Sequence, residues 1–266
     1  MELFYRKTGT GPNMVILHGL YGSSDNWLTV CKLLENSFEI FIPDQRNHGK
    51  SPHSSEFDYD FLSEDIIQFI QAKKLNKIIL IGHSMGGKVA MHLARKYPEV
   101  ISHLILVDIA PKNYFPDESK ESFLHIGILE ALQKLYLPSL KSRDEADSLL
   151  SVDLPDKKLR SFLLKNLKRT SNGNYSWLLN IEAIQKNFSE ISEGFRFSDW
   201  ENIEISGFPV LFVKGEKSNY IEKTDIPLIK KIFPAAEIIE IPKTGHWLHA
   251  ENSEEFASIV KKFVFG

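Results

Sequence analysis

Four short runs in the first 110 residues, Met14 to Leu17, Phe38 to Ile42, Lys77 to Ile81 and His103 to Val107, are apolar almost without interruption. A strand with one face in water alternates apolar and polar residues, so runs this uniform predict strands covered on both faces. The segments between them, notably Phe61 to Lys74 and Met85 to Tyr97, carry apolar residues at helical spacing and supply the cover. Strand and helix in alternation predict a mostly parallel central sheet flanked by helices. Strand-like runs resume at Pro209 to Val213 and Glu237 to Ile241, and Glu254 to Val264 reads as a closing helix. Between Lys112 and Ile205 strand signals stop and helical ones take over, as in Phe123 to Leu135, Leu159 to Leu167 and Trp177 to Phe188. The expected organisation is an α/β core of residues 1–111 and 206–266, with residues 112–205 inserted as a helical cap.

Composition narrows the function classes. Of 266 residues 42% are hydrophobic, and 32 basic side chains face 35 acidic ones for a net charge of −3. That balance excludes disorder as the main state and offers no basic field for nucleic acid. The single cysteine, Cys31, cannot form an internal disulfide, and Met1 to Lys7 has no secretory pattern, so a cytoplasmic or other reducing compartment is expected. Every apolar stretch falls well short of the roughly 20 residues that span a bilayer, so a protein without an integral membrane segment is expected.

Chemistry concentrates in Gly82-His83-Ser84-Met85-Gly86, directly after one apolar run and directly before a helical pattern. A serine on a tight strand-to-helix turn sits in a strained conformation, and glycines on either side leave room for it. The turn lifts the hydroxyl clear of the sheet and aims the first free amides of the helix at a developing oxyanion. A serine hydroxyl needs a base. His246, in a loop after the last strand run and before the closing helix, is the best placed of nine histidines. His18 and His48 read as structural, bonded to loop backbone, and the Asp44 to Ser51 loop reads as structural with Arg46 paired locally. His246 and His249 lack further ligands at metal spacing, so no metal is expected. Gly82 to Lys88 approaches a phosphate-binding loop, but Val89 stands where a magnesium-binding hydroxyl is needed.

His18-Gly19-Leu20-Tyr21-Gly22, Asp44 to Ser51, Gly82 to Gly87 and Gly245-His246 together resemble the α/β-hydrolase superfamily over essentially the whole chain. Arg46-Asn47-His48-Gly49, Ser51 to Ser54, Gly82 to Met91 and Val107 to Pro111 are similar, more narrowly, to small bacterial acyl esterases and related mitochondrial hydrolases. The resemblance implies an α/β-hydrolase fold with the helical lid inserted after the sixth strand. It implies Ser84 as nucleophile, His246 as base, and the Leu20 and Met85 amides as the oxyanion hole. The commonest superfamily acid would follow Pro209 to Val213, where this chain has Gly215-Glu216-Lys217-Ser218. The narrower family is similar in taking its acid after the preceding strand, which implies Asp108, with Ser218 in a supporting role; Glu216 stays open as an alternative.

The implied activity is hydrolysis of a small-molecule acyl ester without a cofactor. Thioester cleavage, C–C hydrolysis, acyl transfer and a non-catalytic ligand-binding role stay open. For the substrate pocket the expected residues are Tyr21 and Trp247 from the core and Phe115, Phe123 and Trp177 from the insertion. The basic stretch from Lys157 to Arg169 reads as a solvated helix face.

Overall fold

Met14 and Ile16 pack on one side of the sheet and Val15 and Leu17 on the other, and the same two-residue alternation runs through Ile78 to Ile81 and Leu104 to Val107. The computed structural model describes residues 1–114, 120–195, 200 and 202–266. The central sheet has seven strands: β1 (Tyr5–Thr8), β2 (Asn13–Leu17), β3 (Glu39–Pro43), β4 (Ile78–His83), β5 (Ile101–Val107), then β8 (Val210–Gly215) and β9 (Ala236–Ile241), in the spatial order β1-β3-β2-β4-β5-β8-β9. Only β1 runs antiparallel to its neighbour.

Helices α2 (Tyr59–Ala72) and α3 (Met85–Lys96) cover one face through Leu62, Ile66, Val89 and Leu93. On the other face, α1 (Leu28–Leu34) and the closing helix, α9 (Ser253–Phe265), pack Leu34, Phe256 and Val260 against the sheet. Two apolar layers on one sheet explain why the inner strands carry no polar alternation.

Between β5 and β8 the chain runs through α4 (Lys120–Lys134), α5 (Arg143–Leu150), α6 (Lys157–Leu163), a two-stranded ribbon of β6 (Leu167–Arg169) and β7 (Tyr175–Trp177), α7 (Ile181–Lys186) and α8 (Phe188–Glu193). Two expectations are corrected here. The insertion follows the fifth strand rather than the sixth, because only five sheet strands precede it. Nor is it wholly helical: the turn at Thr170 to Asn174 folds the chain back into β6 and β7, strands of three residues each and too short to show a period.

The insertion is pinned to the core by polar contacts. Asn180 donates from its backbone to the Asn47 carbonyl at 3.0 Å and from its side chain to Asn47 Oδ1 at 2.9 Å. Asn166 Nδ2 reaches the Tyr21 carbonyl at 2.8 Å, and Tyr59 Oη the Ile191 carbonyl at 2.9 Å. No helix among the described residues is long and apolar enough to cross a membrane.

The strand order reverses between β2 and β4, and β2, β4, β5, β8 and β9 all end on one edge of the sheet. A crevice forms where successive connections leave on opposite faces, so the loops after these strands are where a ligand fits. Two glycines make the first of them possible. A Cβ on Gly82 would overlap the Gly86 carbonyl oxygen, and one on Gly86 would overlap the Leu17 carbonyl and lie 2.6 Å from that of His18. Helix α3 thus begins in van der Waals contact with the end of β2. Gly86→Ala is expected to cost about 3 kcal/mol, the upper end for overpacking against rigid backbone, read as a lower urea midpoint.

Candidate active site

Strand β4 ends at His83 and α3 starts at Met85, leaving Ser84 alone to turn the chain. Its φ of 53° and ψ of −119° are rare for a residue with a Cβ. The strain is held from both sides: Ser84 N donates to the Val107 carbonyl at 3.1 Å, and the Ser84 carbonyl accepts from the Gly87 and Lys88 amides. Met85 contributes the first amide of α3. Its amide and that of Leu20 donate to no protein acceptor among the described residues, and both residues line a small cavity with Ser84. Two free donors beside a lifted hydroxyl make a place for a negatively charged oxygen.

Asp108 follows β5 directly, is wholly buried and also has a positive φ, 50°. Each carboxylate oxygen is occupied. Oδ1 accepts from the Gly215 amide at 3.1 Å, while Oδ2 accepts from His246 Nδ1 at 2.7 Å and from the Ser218 hydroxyl. Glu216 instead accepts the Lys243 amide at 2.6 Å, bracing the loop that carries His246.

Around His246 lie ring contacts that no local pattern pointed to. Tyr220 stacks on its ring at 3.7 Å between centroids, and the His246 carbonyl oxygen lies 2.9 Å from His83 Nε2. His249 is stacked on Trp27 at 4.2 Å. Burial, then the neighbouring His249 and His246, holds the His83 ring well below the ordinary histidine range, and burial pushes His249 down to about 3. Both rings are therefore neutral at pH 7, and neutral His83 can donate from Nε2 to the His246 carbonyl. His246, with its side chain 19% exposed, is the ring of the three that meets a carboxylate. Ser84 and His246 face one pocket of about 210 Å³ and share no direct hydrogen bond.

The pocket wall is mainly apolar, with Leu20, Leu124, Ile128, Phe162 and Trp247 on it. Tyr21 lines it too, its hydroxyl 3.3 Å from His125 Nδ1. Two expected lining residues lie elsewhere. Phe123 is 61% exposed, because the pocket face of α4 is set by Leu124, His125 and Ile128 and Phe123 falls outside that stripe. Trp177 sits on β7 and lines a separate surface groove with Tyr136 and Leu137. Phe115 lies outside the described residues.

The two earlier histidines serve the loops. His18 Nε2 accepts from the Gln45 amide at 3.0 Å and His48 Nε2 from the Tyr21 amide at 3.3 Å, and burial lowers both rings' proton affinity. Arg46, expected to pair locally, reaches instead to Asp65 on α2 at 2.6 Å, since both side chains are buried and each needs the other.

Comparison with known proteins agrees with this fold. A family model described as the alpha/beta hydrolase fold matches residues 12–253. The sn-1-specific diacylglycerol lipase ABHD11 of Xenopus laevis is 35% identical over 260 residues, which cover 96% of this chain and 80% of that one. Esterase YbfF of Escherichia coli is 28% identical over 251 residues, covering 94% and 92%. Among solved structures, a marine microorganism esterase superposes with a TM-score of 0.92 at 42% identity, covering 98% of this chain and 99% of that one.

Proposed function

The chain belongs to the α/β-hydrolase fold family, and on that premise we propose that it hydrolyses carboxylic esters through an acyl-enzyme formed on Ser84. The observation that carries this reading is the 2.7 Å bond between His246 and a fully buried Asp108, facing the same pocket as a serine on a strained turn. Esterase and lipase are also the activities named for the relatives above.

In this mechanism Ser84 Oγ attacks the ester carbonyl while its proton passes to His246 Nε2. The C–O bond to the alcohol then breaks and the alcohol oxygen leaves with that proton. Water attacks the acyl-enzyme by the same route in reverse, giving its proton to His246 and returning the hydroxyl to Ser84. Asp108 keeps Nδ1–H occupied, so that Nε2 faces the nucleophile. The Leu20 and Met85 amides receive the carbonyl oxygen as it becomes charged, and Ser218 steadies Asp108. Residues 112–205 act as the cap: Leu124, Ile128, Leu159 and Phe162 close the apolar side of the pocket and set which acyl groups fit.

Labelling with a fluorophosphonate tests the reading together with turnover of p-nitrophenyl esters from acetyl to palmitoyl and of acyl-CoA thioesters. One adduct, on Ser84, and saturable ester hydrolysis are expected. A folded protein that neither labels nor turns over any substrate would overturn the assignment, and thioester turnover without ester turnover would redirect it to a thioesterase.

A further inference from the structure

Lys88 stands one helical turn beyond Ser84 on α3 and is only 2% exposed. Its ammonium donates to the Ser192 carbonyl at 3.1 Å and lies over the rings of Tyr59, Tyr114 and Phe195, 5.2–5.8 Å from their centroids. Among the described residues no carboxylate pairs with it. A buried cation with one carbonyl and three aromatic faces is poorly compensated, and burial pushes its pKa down to about 7. The Ser192 bond alone does not require a charge: a neutral donor would pin the cap as well.

Lys88 also borders open space. With Ser84, Leu20 and Met85 it lines an inner cavity of about 30 Å³, which shares Ser84, His125 and Tyr220 with the main pocket. At about 10–15 Å³ for a water-sized group, that space takes the two oxygens of a carboxylate at the far end of an acyl arm whose methylenes begin in the adjoining main pocket beside Ser84. The main pocket continues past Phe162 and Trp247 into a surface groove, which gives a leaving alcohol its exit. The inner cavity has the free amides on its wall and suits the arm that stays on the enzyme.

We propose that Lys88 is a specificity-determining residue that binds a carboxylate at the far end of the acyl group, making half-esters of short dicarboxylic acids the preferred substrate class. This deepens the esterase reading and rests on it. Half-esters of succinate, glutarate and adipate put two to four methylenes between the ester carbonyl and the carboxylate, and this series brackets the reach from Ser84 to Lys88, one helical turn apart.

The test compares monomethyl succinate, glutarate and adipate with methyl 5-methylhexanoate, whose isopropyl end copies the shape of the glutarate carboxylate without its charge. Wild type is expected to prefer the best half-ester in kcat/KM, and Lys88→Met to lower the ratio of half-ester to neutral ester by on the order of 10²-fold. A residue that merely pins the cap would lower both substrates together. A ratio that moves less than about threefold in Lys88→Met, or no preference in wild type, would overturn the proposal while leaving the esterase reading in place.

A second readout needs no turnover. Monomethyl glutarate should raise the thermal midpoint of Ser84→Ala and should not raise that of Ser84→Ala/Lys88→Met. A Lys88-dependent shift without any ester hydrolysis would support the anion subsite and sink the esterase reading; no shift in Ser84→Ala would sink the subsite. Lys88→Gln, which keeps a donor for Ser192, serves if the methionine variant does not fold, and the same loss of preference is expected.

Discussion

Ser84→Ala is expected to lower kcat on the best ester by on the order of 10⁵-fold or more, with the fold intact and KM changed by less than about tenfold. In the proposed mechanism the hydroxyl is the bond-forming group, and no other nucleophile stands at the turn between β4 and α3. Alanine accepts the backbone conformation no better and no worse than serine, since the strain belongs to the Cβ that both possess. Urea midpoints of the two proteins should therefore agree closely. His246→Ala should fall to about the same level, and the double variant no further, because nucleophile and base act as one unit. What activity survives would come from the Leu20 and Met85 amides and the pocket. If Ser84→Ala keeps more than about a hundredth of wild-type kcat, attack occurs elsewhere and the acyl-enzyme mechanism is wrong.

Much of this fold was legible because the inner strands are buried on both faces. Met14 to Leu17 and Ile78 to Ile81 have no other reason to be so uniformly apolar, and the carboxyl end of the second run locates Ser84 without any tertiary information, whereas Leu20 came from the resemblance. Strand β1 was missed for the complementary reason. It lies at the sheet edge, its residues are half-buried or exposed, and Tyr5-Arg6-Lys7-Thr8 carries no apolar pattern. His246 was legible from its place before the closing helix. Asp108 came from a resemblance rather than from any local pattern, and only the fold explains it: β5 lies between β4 and β8, so its carboxyl end falls between the serine turn and Ser218.

The surroundings of the site were not legible, and distance along the chain is the reason. Tyr220 meets His246 across 26 positions, and His83 meets the His246 carbonyl across 163. No spacing rule for helix or strand relates such residues. In the insertion the difficulty was helical phase. Leu124, His125 and Ile128 share one stripe of α4, whereas Phe123 is the larger and more conspicuous side chain but faces water. The asparagine pins were hidden in another way. Asn166 and Asn180 read as ordinary polar residues of loops or helix ends, yet they anchor the insertion to the backbone of Tyr21 and Asn47. Both anchors lie in core loops read from sequence as catalytic or structural, so the loops that carry the proposed oxyanion donors also hold the insertion.

Asp108→Asn is expected to lower kcat by on the order of 10⁴-fold, and the reason lies in the partners of the two carboxylate oxygens. The Gly215 amide can only donate, and its hydrogen bond to Oδ1 keeps the asparagine carbonyl oxygen on that side. The asparagine NH₂ then takes the position of Oδ2 and points a donor at His246 Nδ1. The imidazole adapts by moving its proton to Nε2, which leaves no lone pair to accept from Ser84. Flipping the amide repairs the histidine contact but sets NH₂ against the Gly215 N–H, at a side chain with no exposed surface. Either orientation is penalised, and the one that keeps the Gly215 bond disables the base. Ser218→Ala removes only the third partner of the carboxylate, because Gly215 and His246 still hold both oxygens. It should cost less than about tenfold in kcat. The ratio between the two variants separates the alternatives: near-equal small losses would place the acid elsewhere, whereas a gap of about 10³-fold follows from a carboxylate held by one fixed amide and read by one histidine.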